Sequence, residues 1–362
     1  MQQRRGRATL TLPATDLEYV LAGADAAFGG LGGRRLLVTG GSGFFGTWLV
    51  ESIAFANQET DLGCDVTALV LPREVASLAA RYPDGLTGVR FVGADICALD
   101  TRELPGELGR PPAFDAVVHA AIHVDAATIA RNPIPTLDTA VDGTRRVLDL
   151  ARASRVQRFL FVSSGAVYGA QPPELSCMAE DFRGAPDCAS ADAVYAEGKR
   201  IGETMCACYH RAYGLETVIA RCFAFVGPHL PLDRHFAIGN FLRDALRGGP
   251  VVVEGDGTPM RSYMHAADLT IWLLSLLTRG AAGRAYNVGA SRAVSIAEVA
   301  HLVASAVGSG VEVQVRGTPK PGALPSRYIP CVSRAREELG LREGMSLGEA
   351  LERTIRWLRE AR

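Results

Sequence analysis

The chain has 362 residues, 48% of them hydrophobic, and its 38 Lys and Arg residues nearly balance 39 Asp and Glu residues, giving a formal net charge of −1. This balance argues against nucleic acid or an anionic membrane as the main partner. No apolar run approaches the roughly 20 residues of a membrane span, so we expect no membrane insertion. The length indicates one large α/β unit with a smaller lobe.

The cysteines and the N-terminal residues both bear on where the protein is located. The eight cysteines form no CxxC pair and no Cys/His metal spacing, so we expect reduced thiols, no metal site and a cytoplasmic location. Residues 1–32 read as an N-terminal extension without a continuous apolar stretch or a cleavage site, which argues against secretion. Residues 16–28 are expected to form one short helix capped by Thr15 or Asp16.

From residue 33 onward, short apolar runs alternate with helical segments, which is typical of a parallel sheet covered on both faces. We therefore predict a Rossmann-type doubly wound sheet and a smaller C-terminal α/β substrate lobe. The predicted strands cover residues 36–38, 66–70, 89–92, 116–121, 159–162 and 217–220, and the main predicted helices cover 45–55, 137–153, 195–213, 238–247 and 347–358. The dinucleotide-binding domain is expected at 33–227, with later returns near 260–290, and the substrate lobe mainly at 228–362.

Gly40, Gly43 and Gly46 lie between the first strand and its helix, which is the context of a dinucleotide-binding loop. Gly40 allows a tight turn, and Gly43 lets a pyrophosphate approach the unpaired N–H groups of the helix N-terminus. Gly46 lets the helix pack closely on the strand. The loop predicts a nicotinamide dinucleotide cofactor.

The end of the second strand bears on the choice between NAD and NADP. An acid there usually holds the ribose hydroxyls of NAD, whereas an arginine accommodates the 2′-phosphate of NADP. This chain has no acid at the expected place and has Arg73 nearby, which leans toward NADP. Asp95, after the third strand, is a candidate partner for the adenine amino group. The choice between the two cofactors stays open.

Ser164, Tyr195 and Lys199 form a candidate acid/base set for oxidising a hydroxyl group. Ser164 follows the fifth strand, at the sheet edge where ligands bind in open α/β folds. Tyr195 and Lys199 are four residues apart on one helix face. A free phenol has a pKa near ~10, and lowering it by about three units requires roughly 4 kcal/mol, which Lys199 and an oxidised nicotinamide could supply. Ser164 would hold the substrate oxygen.

Several motifs carry a family resemblance over nearly the whole chain from about residue 33. They include Thr39 to Gly46, Ala94-Asp95-Ile96, His119-Ala120-Ala121, the stretch Ser163 to Gly169, Tyr195 to Lys199, Val226-Gly227-Pro228 and Asn287-Val288-Gly289. These residues resemble the extended short-chain dehydrogenases/reductases, specifically the nucleotide-sugar epimerases, dehydratases and reductases. On this basis the expected cofactor site comprises Gly40, Gly43, Phe44, Phe45, Gly46, Arg73, Asp95, Ile96, Ala120, Tyr195 and Lys199.

The resemblance also implies substrate contacts and an assembly. Arg261 is expected to contact the diphosphate of a nucleotide sugar, with Asn240 helping to anchor it. Arg327 is a further candidate phosphate ligand, although its surroundings, Pro325-Ser326-Arg327-Tyr328, depart from the family's arginine-glycine-aspartate stretch. The resemblance implies a homodimer formed through the helices that contain Leu137 and Tyr195.

The residues after Ser164 bear on the reaction type. The sugar 4,6-dehydratases that this chain resembles carry an Asp-Glu pair there, and uronate decarboxylases place a Glu nearby, whereas this chain has Gly165 and Ala166. Small inert residues are expected to leave room for a hexose ring to turn over, which favours C4 epimerisation. The specific expectation is a bacterial dTDP-6-deoxyhexose 4-epimerase, for example one acting on dTDP-L-rhamnose in surface polysaccharide assembly. The alternatives are an NADPH-dependent 4-ketoreductase, which Arg73 supports, and a dinucleotide-sensing protein without catalysis.

Overall fold

The computed structural model describes residues 9–100, 114–122, 126–233, 236–308 and 310–360. Its centre is a seven-stranded sheet in the order β11-β6-β5-β4-β1-β2-β3, in which all neighbouring strands run parallel. The strands are β1 (Arg35–Thr39), β2 (Asp65–Val70), β3 (Val89–Gly93), β4 (Ala116–His119), β5 (Arg158–Ser164), β6 (Glu216–Cys222) and β11 (Arg284–Val288). This is the predicted Rossmann-type sheet, and its strand order reverses between β1 and β4, where such folds bind ligands.

Both faces of the sheet are covered. Side chains of a strand alternate between faces, and in β1 Leu36 and Val38 enter one core while Leu37 enters the other. Helices α1 (Ala14–Gly23), α2 (Asp25–Leu31), α3 (Phe44–Glu59), α4 (Val75–Arg81) and α10 (Ala266–Arg279) contribute to the first core, and α7 (Thr144–Ala153) and α8 (Val194–Tyr213) to the second. The central strands are therefore apolar on both sides, which explains why they read as continuous hydrophobic runs.

The second lobe has its own core, built around Phe241, Val299 and Leu351. It contains α9 (Ala237–Leu246), α11 (Ile296–Val307) and α13 (Leu347–Glu360), with β8 (Val251–Val253) paired in parallel to β13 (Val313–Val315). A three-stranded sheet joins β9 (Met260–Arg261) to β12 (Val294–Ser295) and β14 (Arg327–Tyr328). The remaining elements are α5 (Ala126–Arg131), α6 (Ile134–Asp138), α12 (Ser333–Leu339), β7 (Phe225–Val226) and β10 (Met264–His265), the last two forming a short parallel pair.

A predicted strand end and a predicted helix of the sheet region differ from the structure. The strand predicted over 116–121 ends at His119. The helix predicted over 137–153 is split: α6 is followed by a π-helical turn over Thr139–Gly143 and then by α7. This wide turn falls where Ala140 packs against Gly198 of α8; a Cβ added at Gly198 would lie 2.6 Å from the Ala140 methyl. Such turns let helices accommodate a close neighbour.

The N-terminal segment forms two helices, α1 and α2, instead of the single helix predicted over 16–28. Pro13, not Thr15 or Asp16, occupies the N-cap position, because Asp16 is buried and pairs with Arg353 of α13 at 2.7 Å. Helix α1 ends at Gly23, where an added Cβ would lie 2.5 Å from Ile271 of α10. Tertiary contacts therefore decide where these helices begin and end.

Among the described residues, none of the helices combines the length and the apolar character needed to span a bilayer.

Candidate active site

The glycine loop after β1 forms an open cradle at the switch point of the sheet. Gly40 has φ +74°, a left-handed conformation that suits glycine, and a Cβ there would lie 3.0 Å from the backbone of Ala121. A Cβ at Gly46 would collide with the Gly40 carbonyl. Gly43 is the N-cap of α3, and no side chain among the described residues caps this helix. Its first N–H groups, which begin at Phe44 and Phe45, are thus free to meet an anion, and the loop fits a dinucleotide pyrophosphate.

The end of β2 carries an acid that sequence reasoning missed. Glu74 lies on the single turn after β2, and its carboxylate accepts hydrogen bonds from Ser42 Oγ at 2.7 Å and from the Leu71 N–H at 3.1 Å. Ser42 belongs to the glycine loop, so Glu74 folds back to where the ribose of a dinucleotide would lie. Arg73 is exposed beside it. The motif Pro72-Arg73-Glu74 contains this signal, but the acid lies four residues beyond the strand, past the position where such an acid is expected.

The other predicted cofactor residues lie along the same edge. Asp95 caps the short turn after β3 by accepting from the Cys97 N–H at 2.9 Å, and the next residue, Ile96, is buried. The Ala120 N–H donates to the Thr39 carbonyl at 3.3 Å, which holds it against the glycine loop.

Ser164, Tyr195 and Lys199 come together at the carboxyl end of β5. Ser164 is the last residue of that strand, and its Oγ accepts from the Ala166 N–H at 3.1 Å; it is also the side chain that acts to lower the pKa of Tyr195. One turn further along α8, the Lys199 ammonium donates to the Val162 carbonyl at 2.6 Å and lies 4.9 Å from the centre of the Phe161 ring. The three side chains thus lie close together at this end of β5.

The electrostatics differ from the sequence expectation. Burial raises the pKa of Tyr195 above its ordinary value, and the group that opposes this effect is Ser164, through its hydrogen bond. The Lys199 ammonium donates to the Val162 carbonyl, and burial lowers its own pKa to about 8. If Tyr195 acts as a base, the groups that would favour its phenolate are Ser164 and nearby positive charges, among them an oxidised nicotinamide when one is bound.

A neutral, buried histidine links three elements next to the site. His119 lies between Thr39 Oγ1 at 2.7 Å and Thr144 Oγ1 at 3.0 Å. Burial, together with the charge of Lys199, lowers the pKa of His119 to about 3. The imidazole is therefore uncharged at neutral pH and acts as a structural link between β1, β4 and α7.

A second hydrogen-bond network joins the carboxyl ends of β5 and β6. Ser163 donates to Glu203 at 2.6 Å, and Glu203 is held in a two-point ion pair by Arg221. Arg221 also donates to the Tyr168 hydroxyl at 2.9 Å, which in turn donates to Asn287 at 2.8 Å. The carboxylate that contacts this end of β5 is thus fully engaged.

Arg261 and Arg327, both predicted phosphate ligands, lie on neighbouring strands of the second lobe. In the parallel pair β9–β14, Arg261 is in register with Tyr328 and Met260 with Arg327. The Arg261 guanidinium lies 6.0 Å from the centre of the Tyr328 ring. Because neighbouring residues of a strand point to opposite faces, Arg327 projects away from the face that Arg261 and Tyr328 share. Asn240, on α9, accepts from Arg243 at 3.2 Å.

The space beside Gly165 is occupied, contrary to the expectation that small residues there leave room for a sugar ring. A Cβ added at Gly165 would lie 2.7 Å from the tip of the Phe223 ring and 2.8 Å from the Tyr328 hydroxyl. The two rings lie 4.6 Å apart, and the Tyr328 hydroxyl is 3.5 Å from Ser164 Oγ. Sequence reasoning quoted Tyr328 only as a neighbour of Arg327 and missed its place in the site.

The described ranges contain no group of three or more metal-ligating side chains, and the eight cysteines carry free thiols.

Comparison with known proteins places these features in a family. Residues 36–289 match the model of the NAD dependent epimerase/dehydratase family. This range includes the glycine loop, Ser164, Tyr195, Lys199 and Arg261, but ends before Tyr328.

Relatives with three different chemistries are similar to the chain. UDP-glucuronic acid decarboxylase 6 of Arabidopsis thaliana is 30% identical over 325 residues, covering 87% of this chain and 88% of the relative. The dTDP-glucose 4,6-dehydratase of Streptomyces niveus is 29% identical over 338 residues, 91% of this chain and 94% of the relative. The solved structure of UDP-glucose 4-epimerase from Thermus thermophilus in complex with NAD superimposes with a TM-score of 0.73 at 26% identity, covering 91% of this chain and all of that one (100%).

Proposed function

Because this chain belongs to the NAD dependent epimerase/dehydratase family, we propose that it is a nucleotide-sugar 4-epimerase that works by transient oxidation at C4. One observation carries the proposal. The oxidising set of Ser164, Tyr195 and Lys199 is assembled at the sheet edge, while positions 165 and 166 carry glycine and alanine in place of an acid.

In this reaction Tyr195 removes the proton of the C4 hydroxyl group, and Ser164 holds that oxygen by a hydrogen bond. A bound nicotinamide would supply the hydride acceptor and the returning hydride. Lys199 adds a positive charge at the base of the site while its pKa of about 8 keeps it largely protonated at neutral pH. Tyr195 returns the proton when the opposite C4 configuration forms.

Elimination and decarboxylation fit this chain less well. Among the relatives, the decarboxylase is named for UDP-glucuronic acid and the dehydratase for dTDP-glucose. A dehydratase must also move a proton from C5 and protonate a leaving hydroxyl group, which calls for an acid and a base beside the serine. Here Gly165 and Ala166 supply neither, and Glu203 is neutralised by Arg221.

The cofactor proposed for this reaction is NAD. Glu74 reaches the glycine loop through Ser42, at 2.7 Å, and a carboxylate in that position would repel the 2′-phosphate of NADP. Arg73, which favoured NADP from the sequence, is exposed next to it.

A 4-keto-6-deoxysugar reductase remains the second candidate because Phe223 and Tyr328 fill the space beside Gly165. A reductase does not need to turn the sugar over, so a filled site suits it. An epimerase would have to rotate the 4-keto sugar elsewhere in the cleft between the lobes.

We also propose the finer features that the family resemblance implies. They are a dTDP-6-deoxyhexose substrate such as dTDP-L-rhamnose, a role in bacterial surface polysaccharide synthesis, a cytoplasmic location and a homodimer. Exposed apolar side chains support the dimer: Ile134 and Leu137 of α6 are 54% and 41% exposed, and Ile201 of α8, a helix packed against α6, is 41% exposed.

The test incubates the purified protein with UDP- and dTDP-hexoses, with no added cofactor, and follows the sugars by NMR. Interconversion of C4 epimers without net cofactor use is the expected result. Stoichiometric consumption of NADPH with a 4-keto sugar nucleotide would establish the reductase instead. Release of water or CO2 would overturn both, and cofactor binding without turnover of any sugar would indicate a sensor. Mass spectrometry of the co-purified nucleotide identifies the cofactor.

A further inference from the structure

Ser164 has a third neighbour besides Ala166 and Tyr195. The Tyr328 hydroxyl lies 3.5 Å from Ser164 Oγ, although 164 positions separate the two residues in the chain. Burial raises the pKa of Tyr328, so its phenol is protonated and able to donate a hydrogen bond. This contact crosses from the second lobe to the end of β5.

The backbone around Tyr328 is fixed from both lobes. The Met260 N–H donates to the Ser326 carbonyl at 2.7 Å, which ties β14 to β9. On the other side, the Ile329 N–H donates to Gln171 Oε1 at 2.9 Å, and the Met178 N–H donates to the Ile329 carbonyl at 2.8 Å. The phenol is thus presented by a segment with little freedom to move.

Gly165 and Phe223 determine the direction of the phenol. The Phe223 ring lies against the Tyr328 ring at 4.6 Å. Any side chain at position 165 would displace both, because even a Cβ would lie 2.8 Å from the Tyr328 oxygen. The glycine that replaces an acid is therefore also the residue that lets Tyr328 reach Ser164.

The hydrogen-bond capacity of Ser164 leads to a specific role. A hydroxyl group has one hydrogen to donate and two lone pairs to accept with. The Ala166 N–H, at 3.1 Å, uses one lone pair, and a phenol donating from Tyr328 would use the other. The single hydrogen of Ser164 is then left to point toward Tyr195 or the substrate oxygen.

We propose that Tyr328 is a positioning residue that directs the single Ser164 hydrogen into the site: toward Tyr195, whose phenolate it stabilises, before the sugar binds, and toward the C4 oxygen once the sugar is bound. This role rests on the proposed function, in which Tyr195 is the base. Tyr195 is faced by Ser164 from β5, Cys222 from β6 and Tyr328 from β14, with Lys199 one turn along α8 and Arg261 beyond the Tyr328 ring. Tyr328 is the member of this group that can set the orientation of Ser164.

The test replaces Tyr328 by phenylalanine, which keeps the ring against Phe223 and removes only the hydroxyl group. In Tyr328→Phe we expect kcat to fall by about tenfold, the upper end of the effect of one lost hydrogen bond between uncharged groups, with KM within about twofold of the wild type. The matched control is Tyr286→Phe, a fully buried tyrosine whose hydroxyl bonds Glu338 at 2.7 Å. The control should leave kcat unchanged.

Two further measurements separate positioning from a general structural effect. In a Ser164→Ala background, Tyr328→Phe should have little additional effect on kcat, because its influence passes through Ser164. A fluorinated tyrosine at position 195, which titrates in a milder pH range, should show a higher phenol pKa in Tyr328→Phe than in the wild type or in Tyr286→Phe.

These measurements test the role of Tyr328 separately from the proposed function. Titration of the fluorinated phenol needs no sugar substrate, so it decides the role of Tyr328 even where no tested sugar reacts. An unchanged Tyr195 pKa in Tyr328→Phe overturns the proposal. An equal loss of kcat in the wild-type and Ser164→Ala backgrounds also overturns it, while leaving C4 oxidation by Tyr195 intact.

Discussion

The candidate site is built from two regions that differ in how they carry their residues. The carboxyl edge of the parallel sheet supplies the glycine loop, Ser164 and the helix of Tyr195 and Lys199, all on elements of five residues or more. The three-stranded sheet of the second lobe supplies Arg261 and Tyr328 on strands of only two residues. The first region has a regular sequence pattern, whereas the second depends on contacts between distant segments.

The difference shows how the two regions divide the chemistry. The sheet edge holds the groups that would exchange a proton and bind a dinucleotide, and these are fixed by long hydrogen-bonded strands. The second lobe presents a cation and a phenol on one face of β9–β14. In the proposed reaction these two groups would help to hold the substrate and to orient Ser164.

The largest effect is expected at the sheet edge, in Tyr195→Phe. Loss of the hydroxyl group removes the base, so kcat should fall by about 1000-fold, with little change in melting temperature because the ring remains. Sugar interconversion followed by NMR measures this. Tyr213→Phe is the control, since Tyr213 lies at the other end of the same helix and is 53% exposed. Retained turnover in Tyr195→Phe would remove the basis for the proposed reaction.

A smaller effect is expected in the second lobe, where two neighbouring strands carry one arginine on each face. Arg261→Gln should raise KM for the nucleotide sugar about thirtyfold, corresponding to roughly 2 kcal/mol for a lost charged hydrogen bond. Arg327→Gln should change KM several times less, since its side chain projects from the other face. Steady-state kinetics compare the two variants, and equal effects would show that both arginines reach the diphosphate.

Cofactor selectivity offers a way to sharpen the description of the sheet edge. Replacing Glu74 by alanine removes a carboxylate beside the expected ribose site, so the ratio of NADP to NAD affinity should rise by about tenfold. Arg73→Ala should move the same ratio in the opposite direction. Calorimetric titration of cofactor-free protein with both dinucleotides measures it. An unchanged ratio in Glu74→Ala would indicate that Glu74 does not determine the choice of cofactor and would favour Arg73 as the residue that does.

The smallest effect is a pH dependence of stability caused by Lys199. Its pKa is about 8 in the folded protein and near ~10.4 in an unfolded chain. Between these values the unfolded chain binds a proton that the folded protein lacks, so raising the pH favours the folded state. The free energy of unfolding of the wild type, relative to Lys199→Met, should therefore rise by roughly 1 kcal/mol per pH unit above pH 8. Urea unfolding at several pH values measures this, and parallel curves for the two proteins would contradict it.

Sequence patterns were sufficient for much of the sheet edge because its signals are local. Six strands of the main sheet, the glycine loop and the helix of Tyr195 were predicted within a few residues of their observed bounds. A buried strand shows as an apolar run and a helix as a repeat of 3.6 residues, and both patterns are contained in short stretches of chain. The split of the 137–153 helix was missed, because it depends on Gly198 packing from another element.

The sequence by itself determined the Rossmann-type sheet, the dinucleotide loop and the identity of Ser164, Tyr195 and Lys199 as a group. The tertiary structure alone decided that Glu74 folds back onto Ser42, that Tyr328 reaches Ser164 and that Arg327 projects away from Arg261. It also decided that Tyr195 lies in a buried environment that raises its pKa. The reason is physical: a repeat along the chain encodes an element, but the field and the neighbours of a side chain come from segments that only folding brings together.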